Sequence, residues 1–493
     1  MADNKSIKQI FKNYWLFALV VLQPLLDIVA FWTSSETGTI AGYIRLLFML
    51  ILPVHLLFTC KDKKRFIASM GIIALLALLH VGNLCRVGYI NFFSDIKNMA
   101  RIIYMPVMAV CLCTYVRDER MKKQALNGIL VNAVIIALVI IISYLTDSYN
   151  PTYGYGLGTS AWVTDENRCT HSVILSCLSV FGMWYGLNSK RSYASYIIPA
   201  AVFVFAVTNG TSSCYLTALA CFGGYAFFMI FRRRVRGERL CRAEKFVVIY
   251  LALLFVIAVA IYPETPHAKI VAIEREAANK GQNNLEKELL ALGYDVRSMS
   301  PEERMNEPVV REKMAEFYTK TIYGGAPGLI ESFDVYRIMK AYNMTTNASK
   351  IADVRRMKRV NAKLIWEDSD FLTKLTGFEF ARVDWPGDSL DLENDWHAIF
   401  YYYGVIGLAA YAAYILYFFF LVLKKLKKNF KSNMTLYNFC LLLCLLLLLG
   451  LAHFSGALLK RPNSSIYLAL VLALLNYQTR FSPEGETAAG GLQ

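Results

Sequence analysis

Residues 434–456 of the chain read MTLYNFCLLLCLLLLLGLAHFSG, a run that contains no Asp, Glu, Lys or Arg. A helix needs about 20 mostly apolar residues to cross the hydrocarbon core of a bilayer, so this run predicts a membrane-spanning helix. Eleven similar runs predict further spans at 14–33, 39–60, 66–85, 101–116, 124–146, 169–187, 193–208, 211–231, 246–262, 397–423 and 464–478. The expected fold is an all-α polytopic membrane protein with about twelve transmembrane helices.

The composition of the whole chain agrees with this fold class. Of its 493 residues, 56% are hydrophobic and 18% are charged, and the formal net charge is +15. These values exclude a soluble enzyme, a disordered chain and a coiled coil, because each of those classes carries more charge for its apolar content. A basic balance is typical of proteins that bind nucleic acid or anionic lipid. The apolar fraction favours a lipid bilayer as the partner, and no nucleic acid.

The eleven cysteines lie in or beside apolar runs, except that Cys60 and Cys241 border basic segments. The long hydrophilic stretch contains none, and the chain has no pair of CxxC units. We therefore expect small buried hydrophobic side chains, without a disulfide framework or a metal site.

The distribution of Lys and Arg predicts the orientation of the spans. With a cytoplasmic N-terminus, the inner segments hold 26 Lys and Arg, whereas the short outer loops hold six. Cytoplasmic loops of membrane proteins are enriched in these residues, so both termini are expected in the cytoplasm. The positive net charge then reflects the orientation of the chain, because most of its Lys and Arg face anionic lipid at the inner surface.

One connection, residues 263–395 between the ninth and tenth spans, is much longer than the others. It carries 19 Lys/Arg and 23 Asp/Glu. Ser300, Pro301 and Glu303 form a capping-box pattern that opens a helix, and an apolar stripe at helical spacing follows at Val309, Val310, Met314, Phe317 and Tyr318. The segment is therefore expected to be a large extracytoplasmic helical loop, a folded cap on the outer face.

The expected domain organisation follows from this loop and the spans on either side. Residues 1–262 form transmembrane helices one to nine, 263–395 the cap, 396–480 helices ten to twelve, and 481–493 a disordered tail.

Charged and titratable residues inside spans are costly, so each is a candidate for function. Asp27 and Arg45 lie at similar depth in the first two spans, where they form either a structural ion pair or a substrate contact. His55 and His80 have no acidic neighbour in sequence, and packing or a hydrogen bond to backbone is the favoured interpretation of both.

The densest polar group directly precedes the tenth span, in residues 391–397 (DLENDWH). If this stretch is helical, Glu393 and His397 lie four residues apart on one face. A carboxylate there could orient the imidazole and form an acid/base pair with it, which makes these two the candidate catalytic residues. The alternative is an ordinary helix start, where acids such as Asp395 are favoured by the helix dipole.

Several outer cations could bind a pyrophosphate, because arginine binds phosphate oxygens through two parallel hydrogen bonds. These candidate substrate-binding residues are Arg86, Arg101, Arg168, Arg355, Arg356, Arg359, Lys460 and Arg461, with Asp395 and His453 beside them. The alternative is that they are solvated. Aromatic side chains nearby could stack on sugars or anchor the protein at the interface: Tyr149, Tyr153, Tyr155, Trp162, Trp385 and Trp396.

Three local patterns resemble the O-antigen ligase and polymerase superfamily of bacterial membrane glycosyltransferases of the GT-C type, as does the single large loop between spans nine and ten. Glu393-Asn394 precedes Gly404 and Gly407, which resembles the His-Asn and Gly-x-x-Gly of the family. Residues 208–213 (TNGTSS) resemble its Thr/Ser-rich turn. Arg355, Arg356 or Arg359, followed by Trp366 and Gly377, resembles its Arg–Trp–Gly pattern, and His453 resembles a histidine of Gram-positive-type members.

The chain departs from the family at two places. Glu393 stands where the family has its catalytic histidine, and a histidine follows one turn later at His397. The Thr/Ser turn of ligases usually carries an arginine, where this chain has Ser212 or Ser213. Either another cation such as Arg101 or Arg168 replaces that arginine, or the chemistry differs from that of the family.

The resemblance implies a metal-independent, inverting glycosyltransferase without cofactor, in the bacterial cytoplasmic (inner) membrane. Its donor would be an oligo- or polysaccharide linked to polyprenyl (undecaprenyl) pyrophosphate, and its acceptor a glycan or lipid hydroxyl at the outer face. A ligase is favoured by the topology, and a repeat-unit polymerase remains an alternative. A transporter or flippase of lipid-linked sugar is the alternative from a different class.

Overall fold

The computed structural model describes residues 2–33, 38–153, 156–162, 168–189, 191–237, 239–385 and 388–481. The first part of the chain contains helices α1 (Ala2–Trp32), α2 (Gly38–Thr59), α3 (Lys63–Val87), α4 (Phe92–Tyr115), α5 (Glu119–Leu145), α6 (Arg168–Asn188), α7 (Ala194–Asn209), α8 (Ser212–Arg236) and α9 (Arg242–Ile261). A short antiparallel pair, β1 (Asn150–Pro151) and β2 (Thr159–Ala161), lies between α5 and α6.

The long connection and the C-terminal part are also helical. They contain α10 (Pro266–Ala291), α11 (Pro301–Asn306), α12 (Pro308–Tyr323), α13 (Pro327–Ser332), α14 (Val335–Ala341), α15 (Ala348–Ile351), α16 (Val354–Asp368), α17 (Phe371–Thr376), α18 (Asp395–Lys428), α19 (Phe430–Asn433), α20 (Leu436–Phe454) and α21 (Pro462–Arg480). A second two-stranded pair, β3 (Asp384–Trp385) and β4 (Asp388–Ser389), precedes α18.

The expected all-α polytopic membrane fold is confirmed. Among the described residues, ten helical runs are long and apolar enough to cross a membrane. Helix α7 is apolar but shorter, at 16 residues, and α21 is not among the ten. The count of twelve spans and their orientation stay predictions.

The chain divides into two compact units. The first unit comprises residues 1–75, 100–267 and 412–493, and the second unit comprises 76–99 and 268–411. The boundaries 262/263 and 395/396 expected from the sequence stay predictions, and almost all of the expected C-terminal tail lies outside the described residues.

The first unit is built around buried helices. In α21 every side chain from Ser464 to Tyr477 is buried, which shows that this helix lies inside the bundle. All eleven cysteines carry free thiols, and most of them are buried in this unit as expected.

The charged pair expected in the first two spans is a buried structural ion pair. The Arg45 guanidinium lies 2.7 Å from an Asp27 carboxylate oxygen, and both side chains are 5% exposed. Arg45 also donates to the Oε1 and the carbonyl oxygen of Gln23, and Asn463 donates to Asp27. A buried ion pair persists only when hydrogen bonds satisfy its remaining atoms, which these contacts do.

Helices in the long connection follow the sequence expectation closely. Ser300 caps α11 with a complete capping box to Glu303, and Pro301 is its first residue. The predicted apolar stripe lies in α12, where Val310, Met314 and Tyr318 are fully buried, whereas Val309 is exposed. The helix is broken at Glu307 because Pro308 begins a new one.

Two glycines allow a close backbone crossing in the second unit. Gly404 interrupts α18 with φ +66° and ψ −170°, and Gly377 has φ +92°. A Cβ on Gly377 would lie 2.0 Å from the Tyr402 carbonyl oxygen, and one on Gly404 would lie 2.2 Å from the Leu375 carbonyl oxygen. The amide of Phe378 donates to the Tyr401 carbonyl (3.1 Å) at this crossing. Only glycine fits both the conformation and the space.

Polar contacts tie the segment around Gly377 to the ends of α3 and α4 in the same unit. His80 binds the Thr376 carbonyl through Nδ1 (3.0 Å) and the Asp95 carboxylate through Nε2 (3.1 Å). Asp95 also accepts from the Phe380 amide, and the buried Glu379 carboxylate accepts from the amides of residues 90 and 91. The backbone hydrogen bond expected for His80 is present, together with an acidic partner, Asp95, on the next helix.

Gly404→Ala should strongly destabilise the protein, because the added Cβ would overlap the backbone of the crossing and the residue would keep a strained conformation. We expect a loss of about 3 kcal/mol or more, measured as a lower thermal unfolding temperature and a lower yield of monodisperse protein in detergent.

Gly450→Ala in α20 is the matched control, since a Cβ there meets no atom within 4 Å. It should unfold at the wild-type temperature or slightly above it. If Gly404→Ala unfolds at the same temperature as the wild-type protein, the two backbone segments do not approach each other closely at Gly404.

Candidate functional site

Glu393 is the centre of an ion-pair cluster in the second unit. It lies in a bend just before α18, and one carboxylate oxygen is 2.7 Å from Arg355 Nε while the other is 3.2 Å from Lys358 Nζ. Both cations come from the first turns of α16, and the Glu393 side chain is 32% exposed. The structure thus brings together two of the sequence-predicted site residues, Glu393 and Arg355.

The two cations determine the charge state of this carboxylate. Burial by itself would raise the pKa of Glu393, but the charges and hydrogen bonds of Lys358 and Arg355 outweigh it and lower the pKa below its ordinary value of 4.5. Glu393 is therefore ionised at neutral pH and is a weak proton acceptor, because protonation would cost both ionic contacts.

The helical register assumed for Glu393 and His397 is wrong, because the helix begins only at Asp395. Asn394 acts as its cap: the His397 amide donates to Asn394 Oδ1 (3.0 Å), and the Ala398 amide donates to the Asn394 carbonyl (2.9 Å). Glu393 is directed to α16 instead of lying one turn below the imidazole. His397 is half-buried in the first turn of α18, next to the fully buried Asp395.

Helix α16 presents a row of cations near Glu393. Arg355, Arg359 and Lys363 follow one another at four-residue spacing, so they share one face of the helix, and all three are exposed. We call these three residues the basic stripe. The buried face of the same helix carries the apolar residues Met357, Val360, Ala362 and Leu364.

Two predicted phosphate ligands have structural partners instead. Arg356 lies over the ring of Tyr342, with 5.0 Å to the ring centre. Arg86 holds both carboxylate oxygens of Asp370 at 2.8 Å and also binds Asn83 Oδ1. Asp370 caps α17, and the hydrogen bond from Arg86 is the main reason that its pKa is far below the ordinary value. Both arginines fasten parts of the second unit together.

The remaining predicted contacts belong to the first unit or lack a described side chain. Arg101 and Arg461 are partly buried, Lys460 is 4% exposed, and His453 is exposed and packs its ring near Phe454 at the end of α20. The side chains of Arg168 and Trp385, and all of Tyr155, lie outside the described residues.

The Thr/Ser-rich turn between α7 and α8 is a buried polar network of the first unit. Thr211 caps α8 by accepting from the Cys214 amide, accepts from the Ser172 hydroxyl (2.9 Å) and donates to Asn209 Oδ1 (2.8 Å). Gly210 lies between them with φ +74°, and a Cβ there would be 2.5 Å from the Pro266 ring. The turn is therefore fixed by hydroxyl and amide groups.

His171 joins this network and has one unused polar atom. Its Nδ1 lies 3.3 Å from Asn209 Nδ2, which also donates to the Thr159 carbonyl. Because an amide nitrogen can only donate, Nδ1 is the acceptor and the proton is assigned to Nε2. Nε2 is buried without a hydrogen-bond partner in the described part of the chain.

Lys358, Asp95 and Glu379 were not among the residues expected at a site, and the acidic partner of His80 was not expected either. Lys358 could have been found, since it follows Arg355 at i+3 on a predicted helix. The others take partners almost 300 residues away in sequence, and no local pattern signals such a contact.

Glu393→Gln should lower stability at neutral pH by about 1 kcal/mol, because two cations would lose their counter-ion in a partly screened environment. A carboxylate with a lowered pKa stabilises the fold above its unfolded-state pKa and loses that effect as pH falls. The difference from wild type should therefore be constant above about pH 6, shrink as the pH falls through the unfolded-state pKa, and vanish only below the lowered folded-state pKa of Glu393, measured by thermal unfolding across pH.

Glu276→Gln is the control for that substitution, because Glu276 forms an exposed ion pair with Lys280 on α10. It should change stability by less than about 0.5 kcal/mol at every pH. A Glu393→Gln deficit that persists unchanged at pH 3 would contradict the ionic explanation.

Thr211→Ala should destabilise the first unit by about 1–2 kcal/mol, because it removes the α8 cap and two buried hydrogen bonds. Thr208→Ala is its control, since the Thr208 hydroxyl binds carbonyls of its own helix. Thermal unfolding of both variants tests this, and equal unfolding temperatures would show that the turn is not held by Thr211.

Comparison with known proteins agrees with the resemblance found in the sequence. A family model described as O-antigen ligase like membrane protein matches residues 8–479, which include most of both units. Neither a curated protein nor a solved structure matches the chain. The family supports a membrane glycosyltransferase-like function in general. The chain therefore belongs to the O-antigen ligase like family of membrane proteins.

Proposed function

We propose that the protein is a metal-independent, inverting glycosyltransferase that works without cofactor at the outer face of the bacterial cytoplasmic membrane. It takes a glycan from a polyprenyl-pyrophosphate carrier and joins it to an acceptor hydroxyl of a lipid or glycan. Family membership over residues 8–479 supports the reaction class. The observation that carries the proposal is the Glu393 cluster, which gathers an acid and two cations directly before the helix that carries His397.

His397 is the general base in this proposal. The alternative base, Glu393, is held by Arg355 and Lys358 and has a lowered pKa, so it accepts a proton poorly near neutral pH. Imidazole is the side chain best matched to proton transfer at that pH. Glu393 then acts as a positioning residue that fixes the two cations beside the reaction centre.

The proposed reaction balances without an external reagent. An imidazole nitrogen of His397 takes the proton of the acceptor hydroxyl, and the oxygen forms the new glycosidic bond to the anomeric carbon. The bond from that carbon to the pyrophosphate breaks, and its electron pair leaves with the phosphate oxygen. Because the acceptor attacks from the side opposite to the leaving group, the configuration inverts.

The basic stripe would stabilise the negative charge that develops on the leaving pyrophosphate. Exposed arginines and a lysine at one-turn spacing can reach phosphate oxygens, and such charge stabilisation is often the largest part of catalysis. Arg101, Arg168, His453, Lys460 and Arg461 stay candidate donor contacts of the first unit. Arg86 and Arg356 are weaker candidates, because Asp370 and Tyr342 already hold them. Within the basic stripe, Arg355 and Lys363 share their charge with Glu393 and Glu367.

Transfer from a lipid-linked oligosaccharide by the purified, reconstituted protein tests the proposal. We expect His397→Ala to lower the rate by about 100-fold or more. Glu393→Gln should lower it less and leave the pH dependence of the rate unchanged, because that carboxylate positions groups and does not accept the proton. Glu276→Gln should transfer at the wild-type rate.

Three outcomes would decide against parts of this assignment. Full activity of His397→Ala would remove it as the base, and a pH profile altered in Glu393→Gln would return that role to Glu393. Sugar that crosses the bilayer without a new glycosidic bond would favour the transporter. The acceptor used, lipid anchor or second repeat unit, separates a ligase from a polymerase.

A further inference from the structure

Helix α17 lies alongside the last two turns of α3 in the second unit, and the two helices run in opposite directions. Three polar contacts recur at three-residue spacing on both helices. They join Arg86 to the Asp370 carboxylate (2.8 Å), Asn83 to the Thr373 hydroxyl (3.1 Å) and His80 to the Thr376 carbonyl (3.0 Å). From its beginning to its end, α17 therefore follows α3 away from the C-terminal end of that helix.

This arrangement places α17 beside a candidate membrane span. The apolar run of α3 that can cross a membrane ends at Val87. Between Val87 and His80 the helix axis advances about 10 Å. Because α17 follows α3 over this distance, it shares the depth of the last two turns of that span.

The chain turns back at Gly377 and returns to the end of α3. The Glu379 carboxylate accepts from the amides of Ile90 and Asn91, in the turn between α3 and α4. The Phe380 amide then donates to Asp95 (3.2 Å) in the first turn of α4. The segment 370–380 thus begins and ends at the same end of α3, which is the path of a segment that enters and leaves a membrane by one surface.

The backbone of α17 finds its hydrogen-bond partners within the protein, as a segment in hydrocarbon must. The Asp370 carboxylate accepts from the amides of Leu372 (2.9 Å) and Thr373 (3.1 Å) at the beginning of the helix. At its end, the Thr376 hydroxyl donates to the Leu372 carbonyl (2.9 Å), and the Gly377 amide donates to the Thr373 carbonyl (2.7 Å). These groups are satisfied without water.

The exposed side of α17 is apolar, whereas its polar side chains contact α3. Phe371 is 73% exposed and Leu372 is 48% exposed. Lys374 reaches back to the end of α16, where its Nζ donates to the Glu367 carbonyl (3.1 Å) and lies over the Trp366 ring. A helix that faces water has the opposite pattern, with its polar side outside, and a lysine that draws its charge away from an apolar surface is typical of a membrane interface.

We propose that residues 370–380 form a re-entrant segment in the bilayer, with Phe371 and Leu372 among the acyl chains of one leaflet. The Lys/Arg distribution predicts that this is the outer leaflet. Hydrocarbon fits this surface because the neighbouring α3 is itself apolar and mostly exposed. Ile90 and Phe93, which are 65% and 82% exposed, add apolar surface at the same end of α3. The proposed glycosyl transfer uses none of these apolar side chains.

Photo-crosslinking of the full chain in lipid nanodiscs tests this proposal. Phe371→p-benzoylphenylalanine keeps an aromatic side chain at an exposed position and should attach to lipid acyl chains on illumination. Leu78→p-benzoylphenylalanine is the positive control, because Leu78 is 66% exposed within α3. Glu276→p-benzoylphenylalanine is the negative control, because Glu276 forms an exposed ion pair with Lys280. The yield of lipid adducts, measured by mass spectrometry, should be close to that of the Leu78 variant and at least about 10-fold above that of the Glu276 variant.

A charge on the exposed side of α17 gives a second, independent test. In water, Leu372→Glu would be neutral or favourable, because the helix dipole favours an acid in the first turn. In hydrocarbon it should lower the thermal unfolding temperature in nanodiscs by about 5 °C or more. Val309→Glu is the matched control, since Val309 is also exposed and is the second residue of α12, as Leu372 is of α17. It should unfold at the wild-type temperature or slightly above it.

Three outcomes would overturn the proposal. The first is a lipid-adduct yield for the Phe371 variant no higher than that for the Glu276 variant. The second is a cross-link from the Phe371 variant to a second copy of the chain in place of lipid, which would make this surface a protein interface. The third is a Leu372→Glu variant that unfolds at the same temperature as Val309→Glu, since the exposed side of α17 would then face water.

Discussion

The close crossing of Gly377 and Gly404 is the constraint on which the second unit depends. At either position a Cβ would approach a backbone carbonyl oxygen to about 2 Å, far inside the contact distance of any carbon and oxygen. The break in α18 at Gly404 leaves the Tyr401 carbonyl available to the Phe378 amide. One hydrogen bond therefore couples the turn after α17 to the helix that carries His397.

This crossing gives the glycines of the family pattern a physical role. The first half of α18 is held against the segment that His80, Asp95 and Glu379 fasten to the ends of α3 and α4. Asn394 then caps the helix, and Glu393 turns toward α16. In the proposed mechanism the base is rigid because its helix is fixed at both Asn394 and Gly404, and the cations are rigid because Glu393 holds them.

Sequence patterns predicted those parts of the fold that depend on residues close together in the chain. Hydropathy predicted the all-α membrane fold and the ten apolar helical runs of the described residues, the capping box at Ser300 located a helix start, and matching depth paired Asp27 with Arg45. The partners of Glu393 could be predicted only in part. Whether Glu393 lies on the same helix face as His397 depends on where α18 begins, and the sequence does not show whether Asn394 lies inside that helix or caps it.

Contacts between remote segments could not be predicted in this way. The carboxylate that binds His80 through Nε2 is on the next helix, and the carbonyl that binds its Nδ1 is almost 300 residues along the chain. The two glycines give no sign in sequence that they face each other, since glycine is also common in turns and in membrane helices. Only the folded backbone places them together.

We infer that the Gly377–Gly404 crossing holds the beginning of the helix that carries His397 in one position. Hydrogen–deuterium exchange at the Phe378 amide tests it most directly, because that amide is the donor in the hydrogen bond of the crossing. We expect the Phe378 amide to exchange as slowly as the amides of Val310 and Met314, whose side chains are fully buried in α12. Exchange of Phe378 at the rate of an exposed loop amide would contradict it.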